Sequence, residues 1–454
     1  MDAVIVFATL FLGLVDGERE ITLDVAPEVA AVELVLDGTL VARLEQAPWA
    51  AKIDFGAGFL PHVLDARALD ETGEVLHTAR QWINLPPPPA DVQVMLETGP
   101  GGDRRARASW QSTSGSHPIR SQVFLDGVPL DAPDLRDIPL PSSEGPSVRV
   151  LRIDLEFPGD LSVSREVLFG GTFVDSIDSE LSAIALETTG AASLPAEVPG
   201  LSFSGSPLRS VAVEDGPIDL FVVRDERASE ELARLAEIEK RRLERNRSLT
   251  NVDVYGQLAR LVPLDPRASL RFIWPYRAPD AVEDYRLFPR SQEWTAGNGG
   301  LFYAATLFEM PRALATAGNP QALAEAVTVA GMAATRRNRR RAVLLLLSRE
   351  GLQESSVAIR HAREYLRAVG VPLVVWTPER EGRRASAESQ RVRPGANDGW
   401  GDAVDVSSTS RFRQAGRSLW QRLDQQRVVW FEGRLLPQHI ETTTAGLDVA
   451  GRSF

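Results

Sequence analysis

The sequence predicts a multidomain protein in which two small β-sandwiches precede a doubly wound α/β domain. The α/β prediction rests on two continuous apolar segments of strand length, residues 342–347 and 371–376, with a helical pattern between them. Segments that are apolar on both faces suit parallel strands covered by helices on each side. The sandwich prediction rests on the short alternating segments of residues 18–86, which are separated by turn residues.

Composition is typical of a globular protein and limits the chemistry. The chain has 454 residues, of which 43% are hydrophobic and 25% charged, enough for about three ordinary domains. A net charge of −12 argues against nucleic acid as a partner. Cysteine is absent, which removes disulfides, thiol nucleophiles and thiolate metal sites.

The N-terminus allows two interpretations. The apolar segment of residues 3–15 has the length of a signal-peptide core and is too short to span a membrane. We therefore predict a signal peptide in residues 1–17 and a periplasmic or extracellular protein. The alternative is a buried first strand, with a cytoplasmic location, and Asp2 in place of a basic residue favours it. No other segment has the length and apolarity of a membrane span.

The two sandwiches are predicted to occupy residues 18–86 and residues 90–171. A proline run at residues 86–89 makes a stiff boundary between them. Each contains a Leu-Asp-Gly tripeptide after an apolar strand, ending at Gly38 and at Gly127. Asp-Gly is a hairpin turn signal, so each sandwich is expected to contain a hairpin of the same type at this position.

The rest of the chain alternates strand and helix patterns. Residues 172–216 are rich in Ser, Gly, Ala and Pro and are predicted to connect to the α/β domain of residues 217–436. In that domain, a helix is predicted over residues 353–369, and the strand at residues 428–430 is predicted to close the sheet. Residues 437–454 are predicted to form a C-terminal tail.

Four segments carry a family resemblance. They are residues 213–223, 299–305 and 341–351 in the C-terminal half and the turn-rich pattern of residues 36–73. Through them the C-terminal half resembles a von Willebrand factor type A (VWA) domain. The whole chain is similar to the VWFA-related proteins of acidobacteria-like envelopes, in which a signal peptide and Ig-like β-sandwich modules precede a VWA domain. The resemblance implies a non-enzymatic protein of the cell envelope that binds other proteins or acts as a scaffold.

The resemblance also implies a divalent-cation site, the metal-ion-dependent adhesion site, at the carboxyl edge of the sheet. Hard oxygen ligands from a D-x-S-x-S motif would bind Mg²⁺ there. Asp225 and Ser229 match this motif, but Arg227 stands where the first hydroxyl ligand belongs. A guanidinium does not ligate a metal, and its charge opposes one.

Two further ligand positions also depart from the family pattern. Gly300 falls where a threonine is expected, and Arg349 or Glu350 falls where an aspartate is expected. We therefore predict a degenerate site without a cofactor, used as a contact surface for a protein partner. The candidate interface residues are Asp225, Arg227, Ser229, Gly300, Glu350 and Trp400.

Two alternatives to this function remain. In the first, Asp225, Ser229 and Glu350 still bind Mg²⁺, and the protein is a cation-dependent adhesion module. In the second, Asp225 and Glu350 act with a histidine such as His361 in a hydrolase.

Two other features have competing interpretations. Trp400 is predicted in a loop at the partner-binding edge, where it either anchors a partner or caps the sheet. The basic run at residues 336–341 is predicted to be a solvated turn at a helix end. Its alternative role is to bind an acidic polymer or lipid headgroups.

Overall fold

The computed structural model describes most of the chain. The described residues are 5–9, 14–27, 29–85, 90–98, 104–112, 117–141, 149–158, 161–169, 181–188, 194, 198–203, 205–245, 249–276, 288, 291–307, 322–348, 355–378, 399–433 and 435–452. None of the helices described in these ranges combines the length and apolarity that crossing a membrane requires. The chain forms a multidomain, β-rich fold with one α/β domain.

The first β-sandwich packs a three-stranded sheet against a four-stranded one. Its strands are β1 Ile5–Phe7, β2 Glu18–Val25, β3 Ala31–Leu36, β4 Thr39–Leu44, β5 Ala50–Asp54, β6 His62–Leu69 and β7 Val75–Ile83. The sheets have the orders β1-β2-β5 and β4-β3-β6-β7. Ile21 and Ile53 from one sheet meet Leu34 and Leu64 from the other in the core.

The N-terminal apolar segment contributes a strand to this sandwich. β1 pairs antiparallel with β2, with Ile5 opposite Val25, and Ile5 is 1% exposed. This arrangement matches the buried first strand that was the alternative to a signal peptide. The first sandwich therefore begins earlier than the predicted boundary at residue 18.

The second β-sandwich has the same layout. Its strands are β8 Ala90–Thr98, β9 Arg104–Ser112, β10 Arg120–Leu125, β11 Val128–Leu130, β12 Ile138–Leu140, β13 Arg149–Phe157 and β14 Leu161–Phe169. The sheets have the orders β12-β9-β8 and β11-β10-β13-β14. The core lies between them and includes Val92, Ile138, Ile153 and Phe157.

The two Asp-Gly turns are built alike, as the repeated tripeptide predicts. Asp37 and Asp126 have φ angles of 48° and 51°, and the glycine after each also has a positive φ, as a type I′ hairpin turn requires. In both turns the aspartate Oδ1 accepts a hydrogen bond from a neighbouring strand. The donors are the Val63 N–H at 2.8 Å and the Val150 N–H at 2.9 Å.

The segment predicted as a connection contains four strands of its own. They are β15 Leu181–Thr188, β16 Leu201–Phe203, β17 Ser206–Pro207 and β18 Ser210–Glu214. Ile184, Leu186 and Leu201 are buried in a separate apolar cluster. The segment is therefore part of a third β-structured unit, which later strands complete.

The α/β domain follows with a six-stranded sheet and helices on both faces. Its elements are β19 Ile218–Arg224, α1 Glu226–Glu244, α2 Asn251–Ala259, β20 Ala268–Ile273, β21 Trp294–Thr295, α3 Leu301–Leu307, α4 Leu323–Ala334, β22 Arg340–Leu346, α5 Ser356–Ala368, β23 Leu373–Thr377, β24 Ala403–Asp405 and α6 Thr409–Asp424. The strand order is β21-β20-β19-β22-β23-β24. All neighbours pair in parallel except β21, which is antiparallel to β20.

The sheet separates two apolar clusters. Leu232 of α1 and Phe412 of α6 pack with Leu344 on one face, and Val327 of α4 and Leu366 of α5 lie on the other face. After β19 the chain continues to one side through β20, while β22 lies on its other side. The strand order thus reverses between β19 and β22, and ligands of open α/β sheets bind at the carboxyl ends of such strands.

The positions of the last strands show that two predicted boundaries were wrong. They are β25 Gln426–Glu432, β26 Ile440–Thr442 and β27 Leu447–Val449. β25 lies in the sheet β18-β25-β15-β27, and β26 lies in the sheet β17-β16-β26. Residues 428–430 therefore do not close the α/β sheet, residues 437–454 are not a tail, and the α/β domain is an insertion between β18 and β25.

The sequence pattern predicts residues 428–430 as a strand of the α/β sheet because β25 is apolar on both faces. Val429 and Phe431 lie in the cluster of the third β unit, while Val428 and Trp430 pack with Ala212 and with Val150 of the second sandwich. A strand buried on both faces has the same sequence pattern in a parallel or an antiparallel sheet.

Candidate functional site

Asp225 lies at the carboxyl end of β19 and caps α1. Its backbone is extended (φ −72°, ψ 159°), and its Oδ1 accepts a hydrogen bond from the Ala228 N–H at 2.6 Å. An N-cap side chain satisfies an N–H that has no partner within the helix, and a negative charge suits the helix N-terminus. The position of Asp225 thus follows from local sequence.

A second contact joins Asp225 to the neighbouring strand. Its Oδ2 accepts a hydrogen bond from the Ser348 N–H at 2.5 Å, and its own N–H donates to the Leu346 carbonyl at 3.0 Å. Asp225 is 2% exposed. Burial raises the pKa of this carboxyl, and the N–H groups of Ala228 and Ser348 oppose that rise. Asp225 therefore links the ends of β19 and β22 to the start of α1.

The other motif residues do not complete a metal cradle. The Ser229 hydroxyl donates to the Asp225 carbonyl at 2.9 Å, one turn back in α1, and the Arg227 side chain is exposed. Both carboxylate oxygens of Asp225 already accept N–H groups. No group of three or more Asp, Glu or His side chains suited to a metal is present among the described residues. This donor set does not fit a divalent cation. Arg349 and Glu350 lie outside the described residues.

Gly300 packs closely against the turn after α2. Its N–H donates to the Ala259 carbonyl at 2.6 Å. A Cβ at this position would lie 2.5 Å from the Leu261 oxygen and 2.6 Å from the Val262 oxygen. The described contacts of Gly300 are thus with the turn after α2. A glycine is required there because the two backbones approach closely.

Trp400 is a buried residue and not an exposed anchor. It is 4% exposed and belongs to the apolar cluster that contains Leu366 of α5. Trp376 is likewise 1% exposed and packs edge-on against Phe412, with 5.1 Å between ring centroids. Both rings are buried within the α/β domain, so Trp400 does not present an exposed ring to a partner.

His361 lies against the first sandwich. Its ring is edge-on to Phe59, with 6.3 Å between centroids, and a Cβ at Gly58 would lie 3.6 Å from its Cδ2. No hydrogen bond between described residues joins it to Asp225. The grouping that a hydrolase would need is therefore not formed by these two residues.

The basic run at residues 336–341, which leads into β22, is largely buried, which corrects the prediction of a solvated turn. Arg337, Arg339, Arg340 and Arg341 are 6%, 3%, 1% and 2% exposed. Arg337 pairs with Glu156 of the second sandwich. Arg340 Nε donates to the Gly216 carbonyl at 2.6 Å.

The last arginine of the run contacts the end of a helix. Arg341 donates to the Val369 and Gly370 carbonyls, each at 3.3 Å, where a cation complements the helix C-terminus. Burial lowers the pKa of Arg341 to about 10.

These arginines join a buried charge cluster between the second sandwich and the α/β domain. Arg152 of β13 is fully buried and donates to Glu214 of β18 at 2.9 Å. The sequence contained one indication of this cluster. β13 carries three charged residues at alternate positions, Arg152, Asp154 and Glu156, and buried charges require nearby counter-charges.

Comparison with known proteins gives only distant likenesses. No protein-family model matches the chain, and no curated protein matches it. Fibronectin(III)-like modules of Clostridium thermocellum CbhA are 15% identical over 17% of this chain and 92% of that chain, with a TM-score of 0.16.

Two larger structures are similarly remote. The central fibronectin-III array of RIM-binding protein is 12% identical over 41% of this chain and 72% of that chain, with a TM-score of 0.19. A β-glycosidase from Bacteroides vulgatus is 11% identical over 37% of this chain and 24% of that chain, also with a TM-score of 0.19. None of these likenesses carries an argument about function.

Proposed function

We propose that this protein is a non-enzymatic interaction or scaffold protein of the cell envelope, whose VWA-like α/β domain binds a protein partner without a metal ion. The main support is that both carboxylate oxygens of Asp225 are engaged by N–H groups, of Ala228 and of Ser348. A carboxylate whose two oxygens both accept backbone N–H groups holds the edge of the sheet together instead of serving as a metal ligand. The exposed Arg227 beside it then offers a positive charge to an acidic surface on a partner.

Partner capture from an envelope fraction tests this proposal. The partner retained by the wild-type protein should also be retained in a chelator and lost with Arg227→Glu. Arg360→Glu is the matched control, because Arg360 is also exposed, at 62% of its side chain, and lies on a different helix, α5. Capture that requires Mg²⁺, or that Arg227→Glu leaves unchanged, would contradict the proposal.

The cation-dependent alternative has one supporting observation. Ser348 Oγ is buried and makes no hydrogen bond to a described residue, and hydroxyl oxygens are ligands that Mg²⁺ accepts. A cation that binds the folded state raises the unfolding temperature. A rise with Mg²⁺ or Mn²⁺ that a chelator reverses, and that Ser348→Ala removes, would favour the alternative over the metal-free site.

The envelope location is a separate part of the proposal. N-terminal sequencing of the protein recovered from fractionated cells tests it. An intact N-terminus in the cytoplasmic fraction would contradict export through a cleaved signal peptide, and would agree with β1 as a permanent strand of the first sandwich.

A further inference from the structure

A cleft of about 720 Å³ opens at the edge of the α/β sheet, beside β23. Its floor is formed by β23, and its walls are formed by α5 and α6. Small-molecule sites in proteins have volumes of about 300–1,000 Å³ and mainly apolar linings. The cleft therefore has the size of a site for a small organic ligand.

The short last strand explains why the cleft exists. β24 pairs with only three residues of β23, with Ala403 opposite Val375 and Asp405 opposite Thr377. Leu373 and Val374, which precede this pairing, are half-buried and line the cleft. The two helix layers thus continue past the paired part of the sheet edge and leave a gap between them.

The walls of the gap are apolar. Leu366 of α5 faces Ala415 and Leu419 of α6 across it, and all three are less than 9% exposed. Because these three side chains are already buried, the apolar surface that a ligand body would remove from water is mainly that of the half-buried Leu373 and Val374.

The mouth of the cleft carries an excess of positive charge. Arg363 and Arg367 lie one turn apart on α5, and both line the cleft. Arg363 donates to the Gly399 carbonyl at 2.7 Å, and no described ion pair joins it to a carboxylate. Burial lowers the pKa of Arg363, and repulsion from Arg367 lowers it further. An anion placed at this turn would relieve that repulsion.

The two arginines on the opposite wall of the cleft already have carboxylate partners. Arg411 pairs with Asp405, and Arg422 pairs with Glu187 at 3.0 Å. Asp402 is the remaining acid of the lining. Arg363 on α5 is therefore the cation of the lining toward which an anionic group would be attracted.

We propose that this cleft binds a small organic anion with an apolar body, such as a medium-chain carboxylate. Its apolar part lies against Leu373 and Val374, and its anionic head lies at Arg363. A peptide strand is the weaker occupant, because the pairing with β24 begins at Val375 and leaves too short an open edge for β-strand addition. The inference is independent of the partner surface near Asp225.

Binding of decanoate to the full chain, measured by calorimetry, tests the charge requirement. We expect one decanoate per chain, and no binding of decyltrimethylammonium, which has the same tail and the opposite charge. The double variant Arg363→Gln/Arg367→Gln should bind decanoate about tenfold more weakly or worse, because it loses charge-assisted hydrogen bonds. The control Arg360→Gln/Arg417→Gln also removes two positive charges, one from α5 and one from α6, at residues that do not line the cleft.

A second pair of variants tests the location. Ser418 is exposed on α6 and lines the cleft, so Ser418→Trp should block decanoate without disturbing the fold. Arg417→Trp adds the same ring to the neighbouring exposed position. Each variant is used only if its unfolding temperature matches that of the wild type.

Three outcomes would overturn the proposal. They are no decanoate binding, equal binding of the cationic probe, and decanoate binding that both cleft variants leave unchanged. If decanoate fails to bind and Ser418→Trp changes the mass measured by light scattering, the occupant is a second copy of this chain.

Discussion

Arg339 and Asp154 form a buried ion pair that joins the α/β domain to the second sandwich. The guanidinium Nη2 lies 2.6 Å from Asp154 Oδ2, and Nη1 of the same group lies 3.2 Å from Asp219 Oδ1 in β19. Burial raises the pKa of both carboxyls, but attraction to Arg339 and other arginines outweighs it, so both pKa values lie below the usual range. One cation therefore compensates two buried acids in different domains.

Replacement of Arg339 should be among the most destabilising single changes in this cluster. Arg339→Met leaves two buried carboxylates without their main counter-charge, and we expect a loss of about 3–5 kcal/mol in the free energy of unfolding. Urea denaturation measures it. Arg360→Met, at a side chain that is 62% exposed, should change stability by less than about 0.5 kcal/mol. Similar losses in the two variants would contradict the role of Arg339.

Glu214 should make stability depend on pH. Burial raises the pKa of Glu214 from 4.5 to about 7, with repulsion from Glu166 adding to the effect and attraction to Arg152 opposing it. The folded state then binds the proton more tightly than the unfolded state, so stability falls as the pH rises from about 4.5 to about 7. Thermal unfolding across this window should show that decline, and Glu214→Gln should reduce it.

The control for this experiment is Glu364→Gln, at an exposed carboxyl on α5 (48% of the side chain). It should leave the pH dependence as it is in the wild type. A Glu214→Gln protein with the wild-type slope would show that the Glu214 carboxyl ionises at its ordinary pKa.

The two glycines near the end of α2 should respond in opposite directions to alanine. Gly300→Ala places a methyl group against two carbonyl oxygens at 2.5 and 2.6 Å, and we expect a loss of about 1–3 kcal/mol. Gly256→Ala lies within α2, with no atom within 4 Å of the added Cβ, and should stabilise the protein by up to about 1 kcal/mol. Chemical denaturation of both variants tests the close approach at Gly300; equal effects would contradict it.

Asp225→Ala should cost more than the loss of an ordinary helix cap. It removes the acceptor for Ala228 and also the link to Ser348, so we expect a loss of about 2 kcal/mol or more. Ser408→Ala removes the comparable cap of α6, where the hydroxyl accepts from the Arg411 N–H at 3.3 Å, and should cost about 1 kcal/mol. Thermal unfolding of the two variants measures the loss of stability in each. A loss no larger than that of Ser408→Ala would argue against the link between β19 and β22.

Elements with strong local patterns could be predicted from the sequence. The helix predicted over residues 353–369 is present as Ser356–Ala368, with Ala362 and Tyr365 among its buried residues. The Asp-Gly hairpins of the two sandwiches are present with the expected positive φ angles. These features depend on residues close in sequence, so a short segment contains the information that specifies them.

The candidate site could be predicted only in part. Asp225 at a strand end before a helix is a local feature, and the structure places it there. Its partner Ser348 is 123 residues away, and no short motif connects the two. Gly300 was expected near Asp225 because of a family resemblance, but its described contacts are with the turn after α2.

Local sequence alone accounts for the periodic patterns of this protein, which are alternating strands in the sandwiches and continuous apolar strands with amphipathic helices in the α/β domain. Only the tertiary structure decided that β25 pairs with β15 and β18, that the arginines of residues 336–341 lie among buried acids, and that Trp400 packs inside. The physical reason is that periodicity reports which faces of an element are apolar. The partner of each face, and the counter-charge of each buried ion, come from residues distant in the chain.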